Sequence, residues 1–175
     1  SRLVLESKPH IVTMENVPKL ANHSVFQEFI KTLKRNKYQV TYQVVKCEKY
    51  GLPQTRRRLV LMASRLGEIR LPPAPEDTCS ETVRSAIGSC RHLHKIDAGT
   101  NASKDPLHRS AALSETNFKR IKCSKPGGTW RDWDESLRAE CHKAESGRSY
   151  PSVYGRMVWD KPSPTLVTHP TMPAT

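Results

Sequence analysis

Two groups of polar residues in the first third of the chain adjoin apolar stretches, and the carboxyl end of a strand is where open α/β sheets place ligands. Glu15 and Asn16 directly follow one apolar stretch, and Gln54, Arg56 and Arg58 directly precede another. A carboxyl group kept protonated by an apolar pocket can donate a hydrogen bond, and a guanidinium offers permanent charge with a planar set of donors. Together they are suited to stabilising negative charge that develops on a bound substrate.

Each group also has a simpler interpretation when it is taken alone. Glu15 and Asn16 at a strand end are compatible with an ordinary turn capped by the asparagine. Arginines before a strand are compatible with a solvated sheet edge that resists aggregation.

The charge of the chain favours a polyanionic partner. Its 175 residues include 29 lysines and arginines against 17 acidic residues, a formal net charge of +12. Phosphate contact and counterion release make nucleic acid the leading candidate, with a merely basic protein as the alternative. No apolar window is long enough for a membrane span, no signal peptide is evident, and five cysteines, an odd number, do not form a disulfide framework. We expect a cytoplasmic, nucleoid-associated protein with no membrane partner.

Hydrophobic periodicity predicts an α/β fold in the first part of the chain. We expect a strand at residues 10–14, a helix from Ser24 to about Asn36 with a Ser24/Gln27 capping box, and strands at residues 38–47 and 58–63. The link between the last two strands is too short for a crossover helix, which predicts an antiparallel pair at the end of an otherwise parallel sheet. Apolar Leu3, Val4 and Leu5 at the start indicate a helix already under way in a longer protein.

The hydrophobic periodicity ends at the proline-rich residues 71–75, which mark a linker or domain boundary. Residues 75–150 are polar, basic and loop-rich, with short helices expected near 83–87 and 114–121. A last extended stretch at residues 164–168 is expected to return to the first part.

Three separated motifs, in order, resemble the DNA cytosine-5 methyltransferases of the bacterial type. They are Glu15-Asn16-Val17, Gln54-Thr55-Arg56-Arg57-Arg58, and Tyr154-Gly155-Arg156-Met157 with Trp159 and Pro162-Ser163-Pro164-Thr165. Pro106-Leu107-His108 and Gly127-Gly128-Thr129-Trp130 lie between them as in many bacterial members, so the resemblance covers nearly the whole chain.

The resemblance implies a fold and a division of the chain. Residues 1–74 would be the second half of a Rossmann-like catalytic domain that depends on S-adenosylmethionine, with a parallel sheet that includes an antiparallel strand. Residues 75–150 would be a small irregular target-recognition lobe that binds double-stranded DNA, and residues 151–175 a truncated return segment. Restriction-modification is the role that bacterial members imply.

The resemblance also implies roles for the two polar groups. A nucleophile that adds at carbon 6 of a flipped-out cytosine turns the ring into an enamine, and electron density flows towards N3 and O2. Glu15 would then contact N3 and the exocyclic amine, and Arg58 would contact O2, with Arg56 supporting the site or touching the DNA backbone. Asn16, Val17 and Gln54 would order the loops of the cytosine pocket. The residues expected to bind DNA are Lys119, Arg120, Lys122, Lys125, Arg131 and Arg156.

Several expectations concern what the sequence does not contain. The family's glycine-rich S-adenosylmethionine loop and its Pro-Cys nucleophile do not occur in these residues, and no cysteine follows a proline. We therefore expect no activity from the chain alone, which is a fragment of an enzyme or a subunit that needs a complementary chain. The alternatives are an inactive DNA-binding or regulatory module and an RNA cytosine-5 methyltransferase. Cys47 at a strand end is interpreted as a small buried hydrophobe rather than a nucleophile.

Two further interpretations concern the second lobe. Trp130 and Trp133 are expected to pack in a core rather than to contact DNA. The cysteines and histidines of this lobe are ligand types that zinc binds. Their spacing does not match the usual zinc modules, so no metal site is predicted. Its candidate ligands are Cys90, His92, His94, Cys141 and His142.

Overall fold

The computed structural model describes residues 1–76, 81–90, 95–101, 108–144 and 154–166. Internal contacts divide the chain into two compact units, Ser1–Cys79 and Ser80–Thr175.

The first unit combines helices with a three-stranded sheet, which confirms the α/β class. Its strands are β1 (Ile11–Asn16), β2 (Gln39–Lys46) and β3 (Arg57–Ser64), and its helices are α1 (Arg2–Ser7) and α2 (Ser24–Arg35). Short 3₁₀ turns occupy Pro18–Asn22 and Cys47–Tyr50.

The strand order is β1-β3-β2, and both neighbouring pairs are antiparallel. Lys46 pairs with Arg57 at the loop end of the β2–β3 hairpin, as the short connection predicts. The described sheet differs from the expected one because β3 lies between β1 and β2 and these strands are not hydrogen-bonded to each other. The connection through α2 leaves β1 and β2 pointing the same way with room for one strand, which β3 fills. A larger parallel sheet stays a prediction.

One face of the sheet packs on α2. Alternate β3 residues Leu59, Leu61 and Ala63 are fully buried and cluster with Phe26 and Leu33 of α2. Because side chains alternate across a strand, the residues between them point to the opposite face of the sheet. Arg58 belongs to that second face.

The start of α2 differs in detail from the sequence prediction. The N-cap is His23, whose Nδ1 accepts from Val25 N at 3.3 Å, and Ser24 is already the first helical residue. Gln27 does not complete a capping box, because its Nε2 donates to the Ala21 carbonyl at 3.0 Å. The Gln27 side chain, which the local pattern assigns to the cap, therefore binds the loop before α2 instead.

The second unit is built from short helices and turns around an aromatic core. Its elements are α3 (Val83–Ile87), α4 (Glu115–Cys123) and α5 (Glu140–Lys143), with 3₁₀ turns at Trp130–Asp132 and Glu135–Leu137. Trp130 and Trp133 are each 3% exposed, which confirms their expected packing role.

The described part of the last segment contacts the second unit. Gly127 N donates to the Arg156 carbonyl at 2.9 Å, and Arg156 N donates to the Gly128 carbonyl at 3.1 Å. Val83 N donates to the Lys161 carbonyl at 3.0 Å, so the start of α3 is held by the same segment. The domain boundaries and the return of residues 151–175 to the first unit stay predictions, and residues 167–168 of the expected extended stretch lie outside the described residues.

Among the described residues, no helix combines the length and the apolar character needed to cross a membrane.

Candidate functional site

The two predicted polar groups meet on the second face of the sheet, where Glu15 and Arg58 form an ion pair. Glu15 lies opposite Val60 in the β1–β3 register, and Arg58 is two residues before Val60 on the same face of β3. The two side chains are therefore diagonal neighbours on adjacent strands, a separation that long side chains can bridge. Sheet register brings together residues that are far apart in sequence.

The two partners differ in exposure. The side chain of Arg58 is 19% exposed, whereas that of Glu15 is 61% exposed. Arg58 also donates from Nη1 to the Arg57 carbonyl at 2.8 Å, which helps to orient its guanidinium. The apolar pocket expected around Glu15 is therefore not formed by the described residues. What they do form is an oriented cation with a carboxylate beside it.

The predicted supporting residues order the backbone around this pair. Asn16 Oδ1 accepts from Val17 N at 2.8 Å, which fixes the turn after β1. Arg56 N donates to the Gln54 carbonyl at 3.0 Å, and the Arg56 carbonyl accepts from Cys47 N at 2.8 Å. These bonds tie the loop that carries the arginines to the end of β2. Arg56 is half-buried in that loop.

Cys47 lies closer to the site than the sequence indicates. Its thiol is half-buried, and burial raises its pKa; the Arg58 cation lowers that pKa, while the Glu48 and Glu15 carboxylates raise it further. Cys47 is thus within electrostatic reach of both members of the ion pair. The sequence does not reveal this position, because it depends on the β2–β3 register, which places residue 47 just beyond the Lys46–Arg57 pair.

The thiol of Cys47 is expected to report on the charges at the site. Glu15→Gln removes a carboxylate that raises the Cys47 pKa, so the reactive thiolate fraction at pH 7 should increase. Arg58→Gln removes the cation and should decrease it. The measurement is the alkylation rate of Cys47 by peptide mass mapping, with exposed Cys123 as the internal control. Rate changes of the same sign in both variants would contradict the geometry.

Five of the six expected DNA-binding residues are exposed in the second unit, and Arg120 is half-buried. Lys119 pairs with Glu115 at 2.7 Å, and Lys122 Nζ lies 5.6 Å from the centre of the Phe118 ring. Lys125 is exposed, and the guanidinium of Arg131 lies 5.5 Å from the centre of the Trp130 ring. Exposed cations of this kind are suited to contacting phosphates.

Arg120 and the exposed Arg156 donate hydrogen bonds within the unit. Arg120 donates from Nε to the Leu137 carbonyl at 2.6 Å and from Nη1 to Asn117 Oδ1 at 3.0 Å. Arg156 donates from Nη1 to the Ser124 carbonyl at 2.9 Å. These guanidinium groups hold α4 to neighbouring segments, a use that residue type alone does not reveal. Their role in DNA binding stays a prediction.

The candidate metal ligands are only partly described, since His92 and His94 lie outside the described residues. Cys90 is half-buried, Cys141 is exposed, and the His142 ring stacks on Trp130 with 4.5 Å between ring centres. Within the described ranges, no three histidine, cysteine or acidic side chains are grouped as metal ligands would be.

Known proteins resemble this chain over almost its whole length. A family model described as C-5 cytosine-specific DNA methylase matches residues 1–172. The Type II methylase M.HgiDII of Herpetosiphon aurantiacus is 47% identical over 172 residues, which cover 96% of this chain and 48% of that protein. The Type II methyltransferase M1.BsuMI of Bacillus subtilis (strain 168) is 32% identical over 95% of this chain and 38% of its own length.

A solved structure described as a DNA modification methyltransferase encoded within a prophage (E. coli) has a TM-score of 0.62 at 19% identity. It covers 99% of this chain and 57% of that one, and it supports the fold alone. The chain spans about half or less of the length of the two curated relatives above. On the family match and the 47% identity, the chain belongs to the C-5 cytosine-specific DNA methylases.

Proposed function

We propose that this chain supplies the cytosine-holding and DNA-reading parts of a DNA cytosine-5 methyltransferase. The complete protein transfers a methyl group from S-adenosylmethionine to carbon 5 of a flipped-out cytosine in duplex DNA. The observation that carries the proposal is the Glu15–Arg58 ion pair between adjacent strands. Family membership supplies the reaction class, and the ion pair supplies the residues.

The pair is suited to the charge changes of this reaction. Addition of a nucleophile at carbon 6 pushes electron density onto O2 and N3 of the ring. The Arg58 guanidinium, only 19% exposed and oriented by its bond to the Arg57 carbonyl, stabilises charge at O2 without having to reorganise. Glu15 is held beside it and, in its protonated form, donates a hydrogen bond to N3 while its other carboxyl oxygen accepts one from the exocyclic amine. The cytosine then replaces water over the exposed face of Glu15.

Other parts of the reaction are not assigned to residues of this chain. None of the four described cysteines follows a proline, and Cys47 has its pKa raised by burial, the opposite of what activates a nucleophilic thiol. The described residues also provide no glycine-rich cradle for S-adenosylmethionine, which supplies the methyl group when bound. We propose that both come from a complementary segment or chain.

The test is to join the chain to the preceding half of a related methylase and measure incorporation of labelled methyl groups. We expect transfer to mixed-sequence duplex DNA, little transfer to RNA, and none by the 175-residue chain alone. DNA binding without transfer in any joined protein would instead favour an inactive DNA-binding module. Preferential transfer to RNA would contradict the DNA assignment.

A further inference from the structure

The second unit contains a cavity of about 360 Å³ whose lining includes one expected DNA-binding residue, Arg131. Three of its lining side chains are cationic and one is acidic, so the wall carries an excess of positive charge. The lining residues are Trp130, Arg131, Glu135, Arg138, His142 and Lys143. A concave surface of this charge is suited to binding an anion.

Arg138 is fixed in the wall of the cavity. Its Nε donates to the Trp133 carbonyl at 3.2 Å, and its Nη2 donates to the Arg131 carbonyl at 2.8 Å. These bonds hold the guanidinium plane in place before any ligand arrives. A planar cation that is already oriented loses little conformational entropy when it binds an oxyanion.

Lys143 adds a second, mobile charge. Its side chain is 38% exposed and pairs with Glu140 at 2.7 Å within α5. Surface ion pairs of this kind are weak, so the ammonium can be shared with or transferred to a stronger anion. Glu135 is the only acidic group among the lining residues of this cavity, and the three cations outnumber it.

His142 forms a buried part of the wall. It is 8% exposed, and its Nδ1 is buried without a hydrogen-bond partner among the described residues. Burial lowers the pKa of His142 and the Arg120 cation lowers it further, so both effects favour the neutral imidazole. A buried nitrogen without a partner is costly, so its presence calls for an explanation such as a functional role or a bound water or ion.

We propose that this cavity binds one phosphate group of the DNA backbone through Arg131, Arg138 and Lys143, with His142 as its buried wall. The proposal rests on the proposed function for the source of the phosphate, and on the cavity alone for the chemistry of the ligand. It adds Arg138, Lys143 and His142 to the surface that positions DNA.

A phosphate fits this cavity better than a stacked nucleobase does. The Trp130 ring is already stacked on His142, with an interplanar angle of 15°, and the Arg131 guanidinium lies 5.5 Å from its centre. A base would have to displace these neighbours in order to stack. A tetrahedral anion needs only converging donors, which three cationic side chains provide.

The test compares two variants of the whole chain that lose the same charge. Arg131→Gln with Lys143→Gln removes two exposed cations of the cavity, and Lys95→Gln with Lys161→Gln removes two exposed cations outside it. Affinity for a duplex oligonucleotide is measured by fluorescence anisotropy at several salt concentrations. Circular dichroism melting verifies that each variant is folded.

The expected result is a change in salt dependence. The cavity variant should lose about one unit of slope in log affinity against log salt, since one phosphate is involved. The control variant should keep the wild-type slope, and each single cavity substitution should lose nearly as much as the double one. A cavity variant that matches the control overturns the proposal.

A second arm separates the two possible sources of phosphate. Inorganic phosphate is titrated against tryptophan emission at constant ionic strength in the wild-type chain and in the cavity variant. A response that requires the cavity residues, without any loss of salt slope on DNA, would assign the site to a free phosphate compound and overturn the DNA source. If the wild-type chain does not bind DNA at all, the proposed function fails, and this titration alone decides whether the cavity binds phosphate.

Discussion

Glu15→Gln in the joined, active protein is expected to slow methyl transfer by about 10²–10⁴-fold, the usual range for losing a general acid or base. The amide keeps the size of the side chain but removes the carboxyl group that is proposed to contact N3 and the amine of the cytosine. Arg58→Ala is expected to slow methyl transfer by about 10²–10³-fold, because it removes the cation that is proposed to stabilise charge at O2. Both effects should appear in kcat more than in DNA affinity.

Single-turnover methyl incorporation measures these rates, and anisotropy with the same duplex measures binding. Glu68 and Arg70 supply matched controls, because they form an exposed ion pair at 2.8 Å in the same unit. Glu68→Gln and Arg70→Ala should leave the rate unchanged. The double variant of Glu15 and Arg58 should lose less than the product of the single losses, because the two residues act together. Full activity in either single variant would remove that residue from the site.

Trp133→Ala is expected to destabilise the second unit by about 3–5 kcal/mol, as large-to-small changes of buried aromatic residues do. The side chain is 3% exposed and donates from Nε1 to Ser124 Oγ at 3.0 Å, with its ring against Tyr154 at 5.0 Å between centres. Truncation would leave a cavity and remove a buried hydrogen bond. Because Ser124 Oγ also donates to the Arg120 carbonyl at 3.1 Å, the loss should reach α4.

Urea unfolding followed by circular dichroism gives the free energy of unfolding. Trp159→Ala is the matched control, because this tryptophan is 49% exposed and should contribute far less. Trp133→Phe retains most of the packing but loses the indole donor, so it should fall between the wild type and Trp133→Ala. Equal losses for Trp133→Ala and Trp159→Ala would show that Trp133 is not central to the core.

Local pattern accounts well for the elements of the first unit. The period-two alternation around Tyr42 predicts β2, and the apolar spacing around Ile30 predicts α2, because both signals depend on neighbours within a few residues. The N-cap of α2 does not follow from the local pattern. The local pattern predicts Ser24 as the cap, whereas His23 is the N-cap and Gln27 donates to the Ala21 carbonyl in the preceding 3₁₀ turn.

Other features depend on contacts that no local pattern contains. The basic residues of the second unit look alike in sequence, yet Arg120 and Arg156 donate to groups within the unit while Lys125 remains exposed. The cavity of the second unit, with His142 in its wall, is likewise not predictable from the sequence, because residues from three separate turns and helices line it.

By itself, the sequence determines the strands and helices of the first unit, the family motifs at the strand ends, and the excess of basic residues. Only the tertiary structure decides that β3 lies between β1 and β2, which in turn places Arg58 against Glu15. The physical reason is that strand pairing and register are set by long-range hydrogen bonds and by burial of one sheet face, whereas propensity acts over a few residues. The candidate site is a product of that register.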